Sequence, residues 1–174
     1  MNFARGYIRR IDGLNRFIGR VVMYGIFVMM AILLWSSVSK VFFLPSMWTL
    51  EMAQFAMVAY YMLGGPYSIQ MGSNVRMDLL YGEWTSRRKA QVDAITVIFL
   101  IVYLGFLLWG GIASTIYSFQ YGGERSPSAW RPYLWPIKVI MCTGIFLMLL
   151  QAISEFLKDI LRLRGEPYPR EETN

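Results

Sequence analysis

The side chains with the most chemical capacity stand singly or in pairs between long apolar runs: Glu51, then Arg76 with Asp78, then Glu124 with Arg125, and Lys138. An enzyme active site needs a nucleophile with a base in reach, a metal, or a glycine-rich loop for phosphate, and no such constellation is visible. The chain has no histidine and one cysteine, Cys142. That removes His-ligated haem, a His-based metal or proton site, an internal disulfide and a Cys-x-x-Cys redox pair. Cys142 reads as a small apolar filler. The Gly64-Gly65 pair is no phosphate cradle, because it lies in an apolar run with no strand before it. Neither enzymatic activity nor a cofactor is expected.

The elements that must position these residues are membrane helices. Of 174 residues, 56% are hydrophobic and 16% charged, against about 25% charged in soluble domains. Four apolar stretches predict four transmembrane helices over about 21–43, 50–71, 93–119 and 136–157, each near the roughly 20 residues that a span requires. The first holds twelve Val, Ile, Leu or Phe residues, worth about −0.3 to −0.6 kcal/mol each at a helix centre. That sum outweighs a full cost of ~3 kcal/mol for Lys40, whose stem can also snorkel outward. The stretch is too long, and lacks the small-residue exit, for a cleaved signal peptide. It is expected to remain in the mature protein.

Orientation follows from the basic residues. Arg5, Arg9, Arg10, Arg16 and Arg20, then Arg76, Arg87, Arg88 and Lys89, then Lys158, Arg162, Arg164 and Arg170 share one side of a four-span arrangement. Only Lys40, Arg125, Arg131 and Lys138 fall on the other, which places both termini in the cytoplasm. Anionic lipid attracts each juxtamembrane cation by about 1 kcal/mol. The net charge of +6 therefore needs phospholipid as a partner and no nucleic acid.

Within this frame, residues 1–20 read as an amphipathic helix on the cytoplasmic interface. Phe3, Tyr7, Ile11, Leu14 and Ile18 make its apolar stripe, and the arginines with Asp12 lie on another face. A frayed basic tail is the alternative. Thr49 is expected to cap the second span, placing Glu51 in the first turn, where the helix dipole favours a carboxylate. Glu51 is equally suited to meet an external partner or to pair with Lys40. Pro66 should kink or end the second span near the cytoplasmic face unless neighbours compensate. Beyond it, Met77, Leu80, Tyr81 and Trp84 are spaced for a short horizontal helix, and Arg87, Arg88 and Lys89 anchor the start of the third span to lipid. On the outer side, Trp130, Tyr133 and Trp135 suit the headgroup belt. Ser126-Pro127 offers the start of a short helix. Residues 158–174 read as a mobile cytoplasmic tail.

A self-sufficient ion-coupled transporter needs an ionisable group deep in the membrane. Here every Asp, Glu, Lys and Arg falls near a span end. Polar span residues such as Ser36, Gln54, Ser114, Thr115 and Gln151 read as adhesive between helices. The chain therefore reads as an all-α integral membrane protein with no engine of its own, a subunit of something larger. The rivals are a self-sufficient four-helix exporter and a membrane assembly protein. The former calls for a carboxylate embedded in an early span, and the first span has none.

The polar landmarks together resemble a known family. Trp48, Glu51 and Gln54 open the second span; Gly64-Gly65-x-Tyr67 precedes Val75-Arg76-x-Asp78 and Tyr81; Glu124-x-Ser126 precedes Trp130, Pro132, Pro136 and Lys138; Gln151 lies in the fourth span. In order and spacing these resemble the DctQ-like small membrane subunit of tripartite ATP-independent periplasmic (TRAP) transporters. Asn74, where many members have histidine, and Pro66, where a small residue is common, depart from the pattern. The resemblance implies an inner-membrane importer of three parts. A binding protein outside the cytoplasm captures a small organic acid, a large membrane subunit moves it by a sodium-coupled elevator, and the small subunit enlarges the static scaffold. It also implies partner contacts for Glu51, Gln54, Arg76, Asp78, Glu124, Arg125, Lys138 and Gln151. Arg76 and Asp78 would shape the inner loop or touch the large subunit, and Glu51, Glu124 and Arg125 would face the binding protein.

Overall fold

The structure is a computed structural model, and it describes residues 2–44, 46–71, 86–120 and 123–163. Five helices account for most of them: α1 (Asn2–Met23), α2 (Gly25–Phe42), α3 (Thr49–Gln70), α4 (Ser86–Gln120) and α5 (Trp135–Leu163). Among the described residues there is no β-strand, only an isolated antiparallel bridge between Arg125 and Tyr133. Arg76 and Asp78, and the expected horizontal helix around them, lie outside the described residues, as does the tail beyond position 163.

Among the described residues, three stretches combine the length and hydropathy of a membrane span: Ala4–Phe42, Ile95–Gln120 and Trp135–Leu161. The first is 39 residues, about 58 Å at 1.5 Å per residue and nearly twice a 30 Å hydrocarbon core. The more apolar half is α2. The other half, α1, carries Arg5, Arg9, Arg10, Arg16 and Arg20. At the junction the Tyr24 N–H donates to the Val21 carbonyl (3.2 Å) and the Phe27 N–H to the Tyr24 carbonyl (3.1 Å). These i to i−3 bonds tighten the helix for a turn without ending it. Helix α3 has 22 residues, about 33 Å. It falls outside the three apolar stretches, because Glu51, Gln54, Gln70 and Gly64-Gly65-Pro66 lower its hydropathy.

The helices do not close into a bundle. Helix α4 packs on α5, α5 on α3 and α3 on α2, while α2 makes no extensive contact with α4 or α5. The result is an open row, α2–α3–α5–α4, with α1 lying across α3 and α5. A buried apolar cluster, Leu104, Ile145 and Ala152, sits where α4 meets α5, with Met62 of α3 packed against it. Whole faces of α2 and α4 stay uncovered, including Phe27, Leu34, Trp35 and Phe42, and Phe99, Phe106 and Trp109.

Backbone proximity explains the α3–α5 seam. A Cβ at Gly144 would lie 2.6 Å from the Met62 carbonyl oxygen, and a Cβ at Gly65 would lie 2.8 Å from the Met148 sulfur. Small residues let helices approach closely where lipid gives no hydrophobic drive between them. Pro66 belongs to the same arrangement. It has no N–H to give the Met62 carbonyl, and that carbonyl is where Gly144 brings α5 closest. Of the outcomes expected at Pro66, a kink or an end of the helix unless neighbours compensate, the end does not occur: Pro66 is fully buried and α3 runs on to Gln70. The neighbouring helix covers the place where the hydrogen bond is missing.

Two smaller expectations are also revised. Thr49 is the first residue of α3 and caps nothing; Trp48 precedes the helix without a side-chain hydrogen bond. The Thr49 hydroxyl instead lies 3.1 Å from the Ser36 hydroxyl and 3.1 Å from the Ser46 carbonyl. Ser126-Pro127 starts no helix, and residues 127–130 are bends.

Candidate functional site

Polar side chains collect at the two ends of the row. At the loop end, the chain between α4 and α5 folds back on itself: the Ser126 N–H donates to the Pro132 carbonyl (3.0 Å) and the Leu134 N–H to the Glu124 carbonyl (2.9 Å). Gly123 permits the turn with φ of 84°, and the Tyr133 ring lies so close that a Cβ at Gly123 would be 2.9 Å from it. The Arg125 guanidinium sits 4.5 Å from the centre of that ring and donates to its hydroxyl. Glu124 pairs with Lys138 from the first turn of α5, and Lys138 also reaches the Ser114 carbonyl at 3.5 Å. Across 75 residues of sequence, the Ser126 hydroxyl donates to Glu51 Oε1 at 2.6 Å.

Glu51 is therefore not a free external group. It is 6% exposed, and its second oxygen, Oε2, is buried without a partner. Among the described ion pairs none joins it to Lys40. Ser126→Ala is expected to leave both Glu51 oxygens unpartnered. A buried acceptor stripped of its donor costs about 1–3 kcal/mol, more when charged. Thermal unfolding in detergent would read that loss, and Glu124→Gln is the contrast: Glu124 is 45% exposed at its side chain, and exposed pairs are worth about 0–1 kcal/mol.

Beside Glu51, four hydroxyls join α2 to the start of α3. Ser39 lies 3.1 Å from Ser46, Ser46 donates to Thr49 at 3.2 Å and Thr49 to Ser36 at 3.1 Å. They satisfy one another where the uncovered α2 would otherwise hold only by apolar contact.

The arginine-rich end holds a second cluster, which joins α1 to α5. Asn15 Nδ2 donates to Gln151 Oε1 at 2.7 Å; Gln151 Nε2 donates to Asp12 Oδ1 at 3.0 Å and Glu155 Oε1 at 3.1 Å. Ser154 donates to Asp12 Oδ1 at 3.1 Å. Lys158 Nζ closes the set, 2.7 Å from Asp12 Oδ2 and 2.8 Å from Glu155 Oε1. The charged members are shielded from water by α1 and α5, which strengthens a charge-assisted network.

Of the residues singled out by sequence, Glu51, Glu124, Arg125 and Lys138 converge at the loop end. Gln54 is exposed and enters none of the described hydrogen bonds. Gln151 is 0% exposed and bonds only residues of its own chain. Trp130 and Trp135 are exposed, the latter with its ring 5.5 Å from Phe119. Arg87, Arg88 and Lys89 fall in the first turn of α4, with side chains outside the described ones.

Sequence reading missed the partners of Gln151. Gln151, Ser154, Glu155 and Lys158 follow the i, i+3, i+4, i+7 spacing of one helix face, a polar stripe that would have flagged them. Helix α5 runs through position 158, where the tail was expected to begin, and buries Lys158 and Asp159. The face of α1 turned inward is Ile8, Asp12, Asn15 and Gly19, whereas Leu14 of the apolar stripe is exposed along with Phe17.

Among the described residues no group of three or more His, Cys, Asp or Glu is placed to hold a metal ion. The polar residues tie the chain's own helices together at two levels, and three stretches among the described residues have the length and hydropathy that cross membranes. These features define a helical integral membrane protein whose polar clusters join its own helices. More particularly, a family model described as DctQ: Tripartite ATP-independent periplasmic transporters, DctQ component, matches residues 29–162, and the chain belongs to this family. It is a small membrane component of a TRAP transporter, located in the inner membrane, in a family of transporter components and not of enzymes. The match runs from within α2 to the last turn of α5, with α1 ahead of it. No curated protein and no solved structure matches the chain.

Proposed function

We propose that this subunit is a static scaffold, which packs on the large membrane subunit and takes no ion or substrate through itself. The observation that carries the reading is where buried charge lies. Among the described residues the buried ionisable side chains are Glu51, Glu155, Lys158 and Asp159, and all lie toward the ends of their helices. A coupling site belongs near the bilayer midplane, so the coupling machinery belongs to another chain. The open row supports the same reading, since its uncovered faces of α2 and α4 offer the area that an obligate membrane partner covers.

In this reading the chain crosses the membrane four times. Helix α3 lies between α2 and α5, and a helix held between two crossing helices must cross with them. Both termini and the Arg76–Asp78 segment are cytoplasmic by their basic residues. The loop end then faces outward, toward the extracytoplasmic binding protein that delivers a small organic acid for sodium-coupled uptake. Arg76 and Asp78 contact the large subunit or shape the inner loop, and Gln54 adds a contact from the exposed side of α3.

Gentle purification is the first test. A much larger membrane polypeptide should come with the chain, whereas a homodimer that transports alone after reconstitution would sink the scaffold reading. A second prediction concerns the loop end. Arg125→Glu is expected to raise by roughly 3- to 10-fold the binding-protein concentration giving half-maximal uptake, with the maximal rate kept, because rim charges act mainly on encounter. Unchanged uptake kinetics would remove the docking role of this loop.

A further inference from the structure

The uncovered face of α2 does not stop where α2 begins. Helices α1 and α2 follow one another within a single stretch, Ala4–Phe42, and α3 lies against it in one antiparallel register: Gly19 meets Tyr67, Val22 meets Gly64, Gly25 meets Tyr60 and Ser36 meets Thr49. Between Val22 and Ser39 the residues that are not exposed are Val22, Gly25, Met29, Ile32, Ser36 and Ser39. That is the 3.5-residue repeat of a helix packed along one neighbour. The opposite side keeps the same repeat, with Leu14, Phe17, Val21, Val28, Trp35 and Phe42 all exposed. We infer that the large membrane subunit docks along this stripe, and that its contact continues beyond the bilayer over Leu14, Phe17 and Val21 of α1. The inference rests on the scaffold reading and adds the chemistry of what is met: a long helix of the large subunit, apolar beside α2 and acidic beside α1.

Three observations favour that occupant over lipid or a second copy. The first is length. From Leu14 to Phe42 the stripe is about 42 Å long at 1.5 Å per residue, whereas the hydrocarbon core is about 30 Å thick. Lipid tails cannot cover all of it. The more apolar α2 fills the core, so the surplus falls on α1. There Arg10 and Arg20 are exposed on either side of Leu14 and Phe17, and hydrocarbon strongly disfavours a guanidinium. Apolar surface standing outside the tails marks a protein contact.

The second is direction. Because the register with α3 is unbroken from Ser36 back to Gly19, the end of α1 leaves along the course of α2. It does not turn there onto the membrane surface, so headgroups do not cover the stripe in place of a partner. The third is charge. Asp12 is the one acidic residue from Asn2 to Phe42, and it is turned inward to Lys158. The outward side of α1 is therefore basic. Two copies paired in parallel on this stripe would set Arg10, which lies in its line, against its own counterpart, and an antiparallel pair would need opposite orientations in the membrane. Acidic side chains on a different chain answer the charge without either penalty.

Photo-crosslinking in the complex tests the surface. With p-benzoylphenylalanine at position 17 or 35 of the small subunit, co-expressed with the large one, light should join both positions to the large subunit. An adduct from position 35 and none from position 17 overturns the inference, as do adducts from neither, adducts between two small subunits, or adducts to lipid alone. In each of those cases recovery of the large subunit with the wild-type chain leaves the scaffold reading standing; a wild-type chain that recovers no large subunit sinks both. Phe17→Glu supplies a second readout. Phe17 is 68% exposed, so the isolated chain should unfold in detergent at the wild-type temperature, while recovery of the large subunit falls about tenfold, the worth of burying one aromatic side chain. Recovery equal to wild type overturns the inference.

Discussion

Leucine at position 144 is expected to open the seam between α3 and α5. A Cβ at Gly144 would stand 2.6 Å from the Met62 carbonyl oxygen and 2.8 Å from its carbonyl carbon. Both obstructing atoms are backbone, so no rotamer change relieves the clash and the helices must move apart. Overpacking costs about 1–3 kcal/mol where side chains can adjust; with backbone against backbone, about 3 kcal/mol or more is expected. The effect extends further because Leu104, Ile145 and Ala152 pack in the same region. Thermal or denaturant unfolding of the isolated chain in detergent measures it. Gly110→Ala is the control, since a Cβ there meets nothing within 4 Å, and removing a glycine from a helix interior gains up to about 1 kcal/mol. A Gly144→Leu protein as stable as wild type would mean that α3 and α5 do not meet at this notch.

The second large effect is at Lys158. Its ammonium lies between Asp12 and Glu155, and the side chains are only 8%, 16% and 10% exposed respectively. Lys158→Met keeps most of the aliphatic stem and removes the charge, leaving two carboxylates facing each other beneath α1. Removing one partner of a buried ion pair costs about 3–5 kcal/mol. That penalty can be escaped if α1 lifts from α5, because Asp12 then regains water. The expected readout is therefore local: amide exchange across residues 8–19 should rise toward that of an undocked helix, with α4 and the outer half of α5 unchanged. The variant Asp12→Leu with Glu155→Leu and Lys158→Met should recover only part of the protection, since it removes the buried charges but leaves Gln151 Nε2 and the Ser154 hydroxyl without their acceptors. Protection of α1 unchanged in Lys158→Met would show that the cluster does not hold the arm.

These two sites differ in how far they can be read from sequence. The glycine at 144 is one of 15 in the chain, and nothing local separates it from Gly105 or Gly110, which face open space. Only the course of α3 beside it makes position 144 intolerant. The Lys158 cluster left a trace, since its α5 members share one helical face and Asp12 and Asn15 share another. What sequence lacked was the pairing of those faces across about 140 residues. Glu51 is a similar case. Its place in the first turn of α3 was legible, and its attachment to Ser126 across 75 positions was not.

Sequence alone determined the apolar runs, the concentration of arginines at one end, the absence of histidine chemistry and the order of landmarks that the family match supports over residues 29–162. Those features are local. A membrane helix satisfies its own backbone hydrogen bonds, so its formation depends on its residues and not on its neighbours. Tertiary structure alone decided that the helices form an open row, that Pro66 is carried within α3, that α1 docks by the face holding Ile8, Asp12, Asn15 and Gly19, and that a groove opens beside Gly64. Each of those depends on which surfaces meet. In a bilayer that choice rests on notches a hydrogen atom wide and on polar groups finding partners from distant parts of the chain.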